Sequence, residues 1–168
     1  MGQRTQFLYS RAQLFFLVLL RILIGWHFLY EGLSKIFNPK WTSYGYLMDA
    51  QGFLGNFFHS LADHPASLEI VDFLNPIGLT LVGLSLIIGI AVRFGLIGGI
   101  FLLALYYLSH IPYIGAEYLF PSEGSYLWID KNIIEICALC LLMVFPTSGI
   151  IGLDRLLNRY WKKNRYGR

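Results

Sequence analysis

Long apolar runs alternate with short polar segments along this chain of 168 residues. A helix that crosses a membrane needs about 20 mostly apolar residues, whereas a strand of a membrane barrel needs about 9 to 11 and alternates in polarity. The runs are too long for such strands and show no sustained alternation. The pattern therefore predicts an all-α chain with transmembrane helices at residues 12–37, 76–92, 94–110 and 128–145.

Prolines mark the ends of these predicted helices. Pro39 stops the first run because a proline disfavours helix in the residue before it, and Pro112 and Pro146 follow the third and fourth runs. Asn75 and Pro76 predict the start of the second helix, since asparagine is a good N-cap and proline suits the first helical position. The connection between the second and third runs is so short that the two helices must be antiparallel neighbours.

The connection over residues 38–74 is too long for a bare loop in a compact protein. Its apolar side chains favour an amphipathic helix, which we expect at the outer membrane-water interface. The residues concerned are Tyr44, Leu47, Met48, Phe53, Phe57, Phe58 and Leu61. The predicted fold is thus one membrane domain over residues 1–168, a polytopic four-helix bundle with a partly helical extracytoplasmic loop between its first two helices.

Composition and charge support a membrane protein and orient it. The chain is 56% hydrophobic and 14% charged, against about 25% charged in an ordinary soluble domain. This composition excludes disordered and disulfide-scaffold classes. Lysine and arginine concentrate near both termini and at Arg93, so the positive-inside rule predicts cytoplasmic termini. The basic tail over residues 152–168 is expected to lie on the cytoplasmic membrane surface.

The first predicted helix carries ionisable side chains, which are costly inside a membrane and are expected to face the bundle interior or to be paired. His27, Glu31 and Lys35 follow one another at i,i+4 spacing and form one polar stripe. Arg21 lies deeper, on a neighbouring face. That face is lined by Gly25, Phe28 and Gly32.

The fourth predicted helix places polar residues near its outer end, at a depth similar to that of the stripe. They are Asp130, Lys131, Asn132 and Glu135. Opposite charges on two helices predict a buried polar network. Two structural alternatives stay open: the charges only fix helix register, or Arg21 reaches the cytoplasmic headgroups while Glu135 pairs with Lys35 or stays protonated.

Other candidate chemistry is weaker. Cys137 and Cys140 form a C-x-x-C spacing, but they fall in the middle of an apolar helix, where desolvation suppresses the reactive thiolate. We therefore expect them to be packing residues. Tyr106 and His110, one helical turn apart, fit either a polar cavity or interfacial anchors. No histidine or cysteine spacing resembles a metal-ligand motif, and we predict no metal site.

The order and spacing of several short motifs resemble the DoxX family of small bacterial membrane proteins, which includes the DoxD-type subunit of thiosulfate:quinone oxidoreductase. The motifs are Arg21-Ile-Leu-Ile-Gly25, Glu31-Gly32-Leu-Ser-Lys35, Gly83 and Gly89 before Arg93, Asp130-Lys131-Asn132 and Gly152-Leu153-Asp154. The resemblance covers nearly the whole chain. It implies a four-helix bundle in a bacterial inner membrane and membrane redox work. For a thiosulfate-type enzyme it also implies a second, extracytoplasmic subunit.

We therefore expect a quinone-linked redox membrane protein, or the membrane subunit of an oxidoreductase complex. Quinone conversion moves two protons with two electrons, so its site needs groups that titrate near neutral pH and donors to the ring oxygens. The expected proton-handling residues are His27, Glu31 and Glu135, and the expected quinone-binding residues are Arg21, Lys35, Asp130 and Asn132. Trp41, Phe53 and Phe57 would cover the ring.

Two other functions remain as alternatives. The first is a non-enzymatic scaffold or accessory subunit whose buried charges only hold the bundle together. The second is small-solute transport, which is disfavoured because one four-helix chain encloses little room and shows no paired half-helices. A homo-oligomer would enlarge that room. The partners expected on either interpretation include the lipid bilayer and exclude nucleic acid.

Overall fold

The structure is a computed structural model that describes residues 9–112, 118–119 and 127–157. Within these ranges the regular elements are all α-helices, which confirms the predicted all-α class. The helices are α1 (Arg11–Ile36), α2 (Tyr44–Met48), α3 (Gly55–Asp63), α4 (Pro65–Ile88), α5 (Val92–Ser109) and α6 (Lys131–Val144). Residues 153–157 are also helical.

Three of these helices, α1, α4 and α5, are long and apolar enough to cross a membrane. A side-chain capping box between Ser10 and Gln13 begins α1, and the backbone N–H of Phe37 bonds back to Leu33 at its end. The helix α6 is shorter. Its 14 residues span about 21 Å at 1.5 Å per residue.

The predicted start of the second membrane helix was wrong. We placed Asn75 at its N-cap and Pro76 at its first turn, but α4 begins at Pro65 and contains Pro76 in its interior. Pro65 occupies the first helical position, where a missing N–H costs nothing. Asn75 does not cap the helix because its side chain bonds across the bundle to Lys35 and Tyr106.

The segment between α1 and α4 is compact and partly helical. It holds α2 and α3, and its buried side chains form a small second core. That core consists of Leu47, Ala50, Phe58 and Ala62. Phe53 and Phe57 stay exposed on the outside of this segment.

The four longer helices pack around one core, with α1 against α4, α4 against α5, α5 against α6, and α6 against α1. Glycines bring α1 and α4 close: a Cβ on Gly83 would lie 2.7 Å from the carbonyl oxygen of Gly25, and one on Gly32 would lie 2.9 Å from that of Pro76. The buried core side chains include Ile24, Phe28, Leu79, Val82, Leu86, Leu96, Leu103, Leu139 and Leu142.

One end of the molecule, here called the basal end, comprises the turn between α4 and α5 and residues 146–157. Ala91 has a left-handed φ of 50° and cannot cap α5 with its methyl side chain. Asp154 supplies the cap from a distance, because its Oδ1 accepts a 2.8 Å hydrogen bond from the N–H of Ala91. The N–H of Asp154 in turn donates to Gly89 O. Residues 146–157 are therefore held against the turn.

Candidate functional site

The predicted polar network divides into separate clusters. Its first part is a pair between α1 and α6. The Nδ1 of His27 lies 2.9 Å and 3.1 Å from the two carboxylate oxygens of Glu135. The His27 side chain is 47% exposed and that of Glu135 is 12% exposed. The pair therefore lies at the edge of the bundle, where a ligand can reach the imidazole from outside.

The second cluster is centred on the ammonium of Lys35, which lies between α1, α4 and α5 on a side chain that is 13% exposed. Its Nζ lies 3.1 Å from Glu31 Oε1, 3.1 Å from Asn75 Oδ1 and 3.2 Å from the hydroxyl of Tyr106. The ring of Trp41 lies 5.2 Å from the same nitrogen, within cation–π range. The charge is thus surrounded by partners, while the Glu31 side chain remains 45% exposed.

Arg21 belongs to a third cluster, at the basal end. As predicted, it lies on the buried face of α1 with Gly25, Phe28 and Gly32. It is only 2% exposed, so it does not reach the headgroups. Its guanidinium donates at 2.9 Å to the Thr147 hydroxyl and at 2.9 Å to the carbonyl oxygen of Ile151. The structure does not bring it together with Glu135, whose partner is His27.

Asp130 and Asn132 serve the first turn of α6. Asp130 is the N-cap, and its side chain accepts a 3.0 Å hydrogen bond from the N–H of Ile133. The Asn132 amide donates to the same carboxylate at 2.6 Å. Glu135 follows about one helical turn later. These two residues therefore fix the start of the helix that carries Glu135.

The segment between α1 and α4 covers the Lys35 cluster only in part. Trp41 contacts the lysine, as expected of a cover. Phe53 is 77% exposed and Phe57 is 51% exposed, so these two rings present most of their surface to the surroundings. The expected three-residue aromatic cover is reduced to Trp41.

A fourth cluster lies at the end of α5, where sequence analysis left open a polar cavity at Tyr106 and His110 but did not identify the other members. His110 stacks on Tyr46 with ring centroids 4.1 Å apart, and its Nδ1 lies 2.9 Å from Ser109 Oγ. Its Nε2 lies 3.4 Å from Asp49 Oδ2. Burial lowers the pKa of His110, and the Asp49 carboxylate opposes that shift. Burial likewise raises the pKa of the Tyr46 hydroxyl.

This fourth cluster has the order of a catalytic triad, but its serine is closed to substrates. Ser109 is 1% exposed and donates to the carbonyl oxygen of Tyr106 at 2.8 Å. A nucleophile must reach a reacting carbon, and no such approach exists to this oxygen. The cluster instead ties Asp49 and α2 to the end of α5. Of its members, sequence analysis had marked only His110, together with the neighbouring Tyr106.

The two cysteines are free and exposed on α6. They therefore do not pack inside the chain, which corrects the expectation that they are packing residues. Among the described residues no group of histidine, cysteine and carboxylate side chains is arranged to hold a metal ion.

Comparison with known proteins gives one match. No curated protein and no solved structure matches the chain. The model of the DoxX family matches residues 16–110, which is more than half of the 168 residues. The matched region includes Arg21, His27, Glu31 and Lys35, together with Asn75 on α4 and Tyr106 on α5, which contact Lys35. The chain therefore belongs to the DoxX family.

Proposed function

We propose that this chain is a quinone-linked redox membrane protein, or the membrane subunit of such a complex, and that the quinone headgroup binds at the His27–Glu135 pair. One observation carries the proposal. A histidine joined at 2.9 Å to a carboxylate lies between two apolar helices, and 47% of the histidine side chain is accessible from outside the bundle. Ionisable groups at membrane depth are functional candidates by default.

A bound quinone would supply chemistry that moves two electrons together with two protons. His27 holds or releases a proton at Nε2, because Nδ1 faces the carboxylate and no described residue binds Nε2. Glu135 fixes the ring orientation and balances the charge of an imidazolium, as a carboxylate does for a catalytic histidine. The pair can therefore pass a proton to or from a ring oxygen without leaving a lone buried charge.

The other predicted site residues support this pair from the side. Glu31 lies one turn further along α1 and is half exposed, so it is the next titratable group on the path to the outer surface. Lys35 has internal partners and acts by holding Glu31 in place. Asp130 and Asn132 fix the turn that precedes Glu135. Arg21 acts at a distance, through the packing of the basal end.

We further propose that α6 is a fourth membrane crossing, which completes a four-helix bundle in a bacterial inner membrane. Its 14 helical residues are short for a crossing, but Phe145 extends the apolar stretch at its end, and Trp128 and Ile129 are apolar residues before its polar first turn. Both termini are cytoplasmic in this proposal. The electrons are exchanged with an extracytoplasmic partner subunit, and the chain can act as a homo-oligomer.

Single-cysteine labelling tests this orientation. In a Cys137→Ala, Cys140→Ala background, Asp63→Cys between α3 and α4 should react with a membrane-impermeant thiol reagent in intact spheroplasts. The reason is that positive charge is concentrated at the opposite end of the molecule. Labelling only after permeabilisation would reverse the proposed orientation.

Thermal unfolding in detergent tests the quinone site. A water-soluble quinone analogue should raise the Tm of the wild-type chain, because a ligand that binds only the folded state stabilises it. The shift should be largely lost in His27→Ala and Glu135→Gln. It should be retained in His64→Ala, which removes an exposed histidine between α3 and α4. Equal shifts in all four proteins would place the analogue elsewhere.

A scaffold or accessory subunit is the second candidate function. The observation that favours it is that internal partners bind the ammonium of Lys35 and the two terminal guanidinium nitrogens of Arg21, as is expected of structural charges. A scaffold has no need of a ligand at His27. Absence of a Tm shift with every quinone tested would therefore favour the scaffold.

A further inference from the structure

An apolar groove lies between the first part of α1 and the last part of α6, away from the His27–Glu135 pair. Its volume is about 610 Å³, which is within the usual range for ligand pockets. It is lined by Tyr9, Ala12, Gln13, Phe16, Leu17, Leu20, Leu141 and Phe145. Tyr9 donates a hydrogen bond to the carbonyl oxygen of Pro146 and so ties the beginning of α1 to the segment after α6.

The length of the groove matches one leaflet of a bilayer. Tyr9 and Leu20 are eleven positions apart, which corresponds to about 16 Å along a helix at 1.5 Å per residue. The hydrocarbon core of a bilayer is about 30 Å thick, so each leaflet contributes about half of it. A single extended hydrocarbon chain from one leaflet therefore fits the groove lengthwise, and six of the eight lining residues are apolar.

The charges at this end of the molecule are predominantly positive. The charged residues described there are Arg11, Arg21, Arg93, Asp154 and Arg155. Asp154 is engaged by the N–H groups of Ala91 and Val92. Arg11 is exposed and immediately precedes the lining residues Ala12 and Gln13.

After Asp154 the chain contains six basic residues and no acidic one. Basic clusters next to a membrane attract anionic headgroups. A neutral ligand would gain nothing from these charges.

We propose that the groove binds one acyl chain of an anionic phospholipid, with its phosphate-containing headgroup next to Arg11. The apolar walls of the groove contact the acyl chain, and the positive charge of Arg11 favours an anionic headgroup. This lipid site is independent of the proposed quinone function, because none of its lining residues belongs to the His27–Glu135 pair or to the Lys35 cluster. The lipid occupies the space between α1 and α6 that lies closer to the basal end than the His27–Glu135 pair does.

The test uses the full chain in mild detergent, with phosphatidylglycerol and phosphatidylcholine of identical acyl chains as probes. We expect phosphatidylglycerol to give the larger rise in Tm and to remain bound in native mass spectrometry. Ala12→Trp, which fills the groove, should abolish both effects. Leu23→Trp is the matched control, because Leu23 is exposed on α1 but does not line the groove. It should behave as the wild type.

Charge variants separate the headgroup from the chain. Arg11→Gln should reduce the phosphatidylglycerol shift to that of phosphatidylcholine, whereas Arg93→Gln, which removes one charge from the start of α5, should not. If Ala12→Trp fails to fold, Phe16→Ala opens the groove wall at a residue that is 65% exposed and should weaken lipid retention in the same assay.

Several results would overturn the lipid proposal. Equal shifts with both lipids would show that no anionic site exists. An unchanged phosphatidylglycerol shift in Ala12→Trp would place the lipid elsewhere, and a change in oligomeric state in that variant would make the groove an interface between copies. Displacement of the lipid by a long-tailed quinone, with the quinone shift lost in Ala12→Trp, would assign the groove to the quinone tail. Loss of the quinone-dependent Tm shift in His27→Ala, with the phosphatidylglycerol shift unchanged, would bear on the proposed quinone site and leave the lipid site supported.

Discussion

The basal end and the seam between α1 and α6 each hold an ionisable side chain between helices, but they surround it differently. Arg21 is 2% exposed, and two of its guanidinium nitrogens donate to Thr147 and to Ile151 O. His27 has one carboxylate partner and is half exposed. A charge enclosed by partners stabilises a fold, whereas a charge with an accessible side can also meet a ligand. The two ionisable groups of one helix therefore differ in whether a ligand can reach them.

The largest expected effect on stability comes from removing Arg21 from its enclosed cluster at the basal end. Arg21→Leu leaves the hydroxyl of Thr147 and the carbonyl of Ile151 without their donor, and hydrogen bonds to charged groups contribute about 1.5 to 3 kcal/mol each. For two such bonds we therefore expect a loss of about 3 to 6 kcal/mol in the free energy of unfolding. Denaturant titration in detergent micelles measures it.

Glu135→Gln provides the comparison for Arg21→Leu. It preserves the size of the side chain at the seam and should cost less than Arg21→Leu, because the partner, His27, is half exposed to its surroundings. If Glu135→Gln is as destabilising as Arg21→Leu, the distinction between the two regions fails.

The next effect concerns the Lys35 cluster. Tyr106→Phe removes the hydroxyl that contacts both Lys35 and Asn75, and we expect a loss of about 1 to 2 kcal/mol in the free energy of unfolding. Tyr107→Phe is the matched control on the same helix, since its hydroxyl donates to Trp128 O at an exposed position. Similar losses in the two variants would show that the hydroxyl in the Lys35 cluster contributes no more to stability than an exposed one.

A smaller, pH-dependent effect is expected from His110. Burial lowers its pKa below the value of about 6.5 that an unfolded chain has, against the opposing Asp49 carboxylate. Between these two pKa values the unfolded state binds more protons than the folded state. Stability should therefore fall as the pH is lowered through that window and should level off below the folded pKa.

The Tm of wild type and His110→Gln, measured from about pH 7.5 down to about pH 5, tests this sign. On acidification, the Tm of His110→Gln should fall less than that of the wild type. The Tm of His59→Gln should fall as much as that of the wild type. If wild type gains stability through His110 on acidification, attraction to Asp49 exceeds the cost of burial, and the sign is reversed.

The smallest effect is expected at the cysteines. Cys137 and Cys140 are exposed on α6 and are not packed within the chain. Replacing both with alanine should change the free energy of unfolding by less than about 0.5 kcal/mol, as is usual for positions away from the core. It should also leave the quinone-dependent Tm shift intact. Loss of that shift in a folded Cys137→Ala or Cys140→Ala variant would assign a redox role to the thiols.

The all-helical class and the approximate positions of α1 and α5 followed from the sequence, because apolar length and proline breaks act locally along the chain. The buried face of α1 was also predictable, since Arg21, Gly25, Phe28 and Gly32 share one side of a helix. Local rules misled at Asn75 and Pro76. Asparagine before proline is typical of a helix start, but here the amide is used by Lys35 and Tyr106 across the bundle.

The tertiary structure alone decided which polar groups meet. Sequence spacing placed Arg21, His27 and Lys35 on one helix and Glu135 on another, but it could not choose among their pairings. Helix packing sends Arg21 to residues 146–157 and joins His27 to Glu135. The remaining lysine is enclosed by α4 and α5. The physical reason is that a buried charge needs partners within hydrogen-bond distance, and those distances depend on the relative positions of helices far apart in the chain.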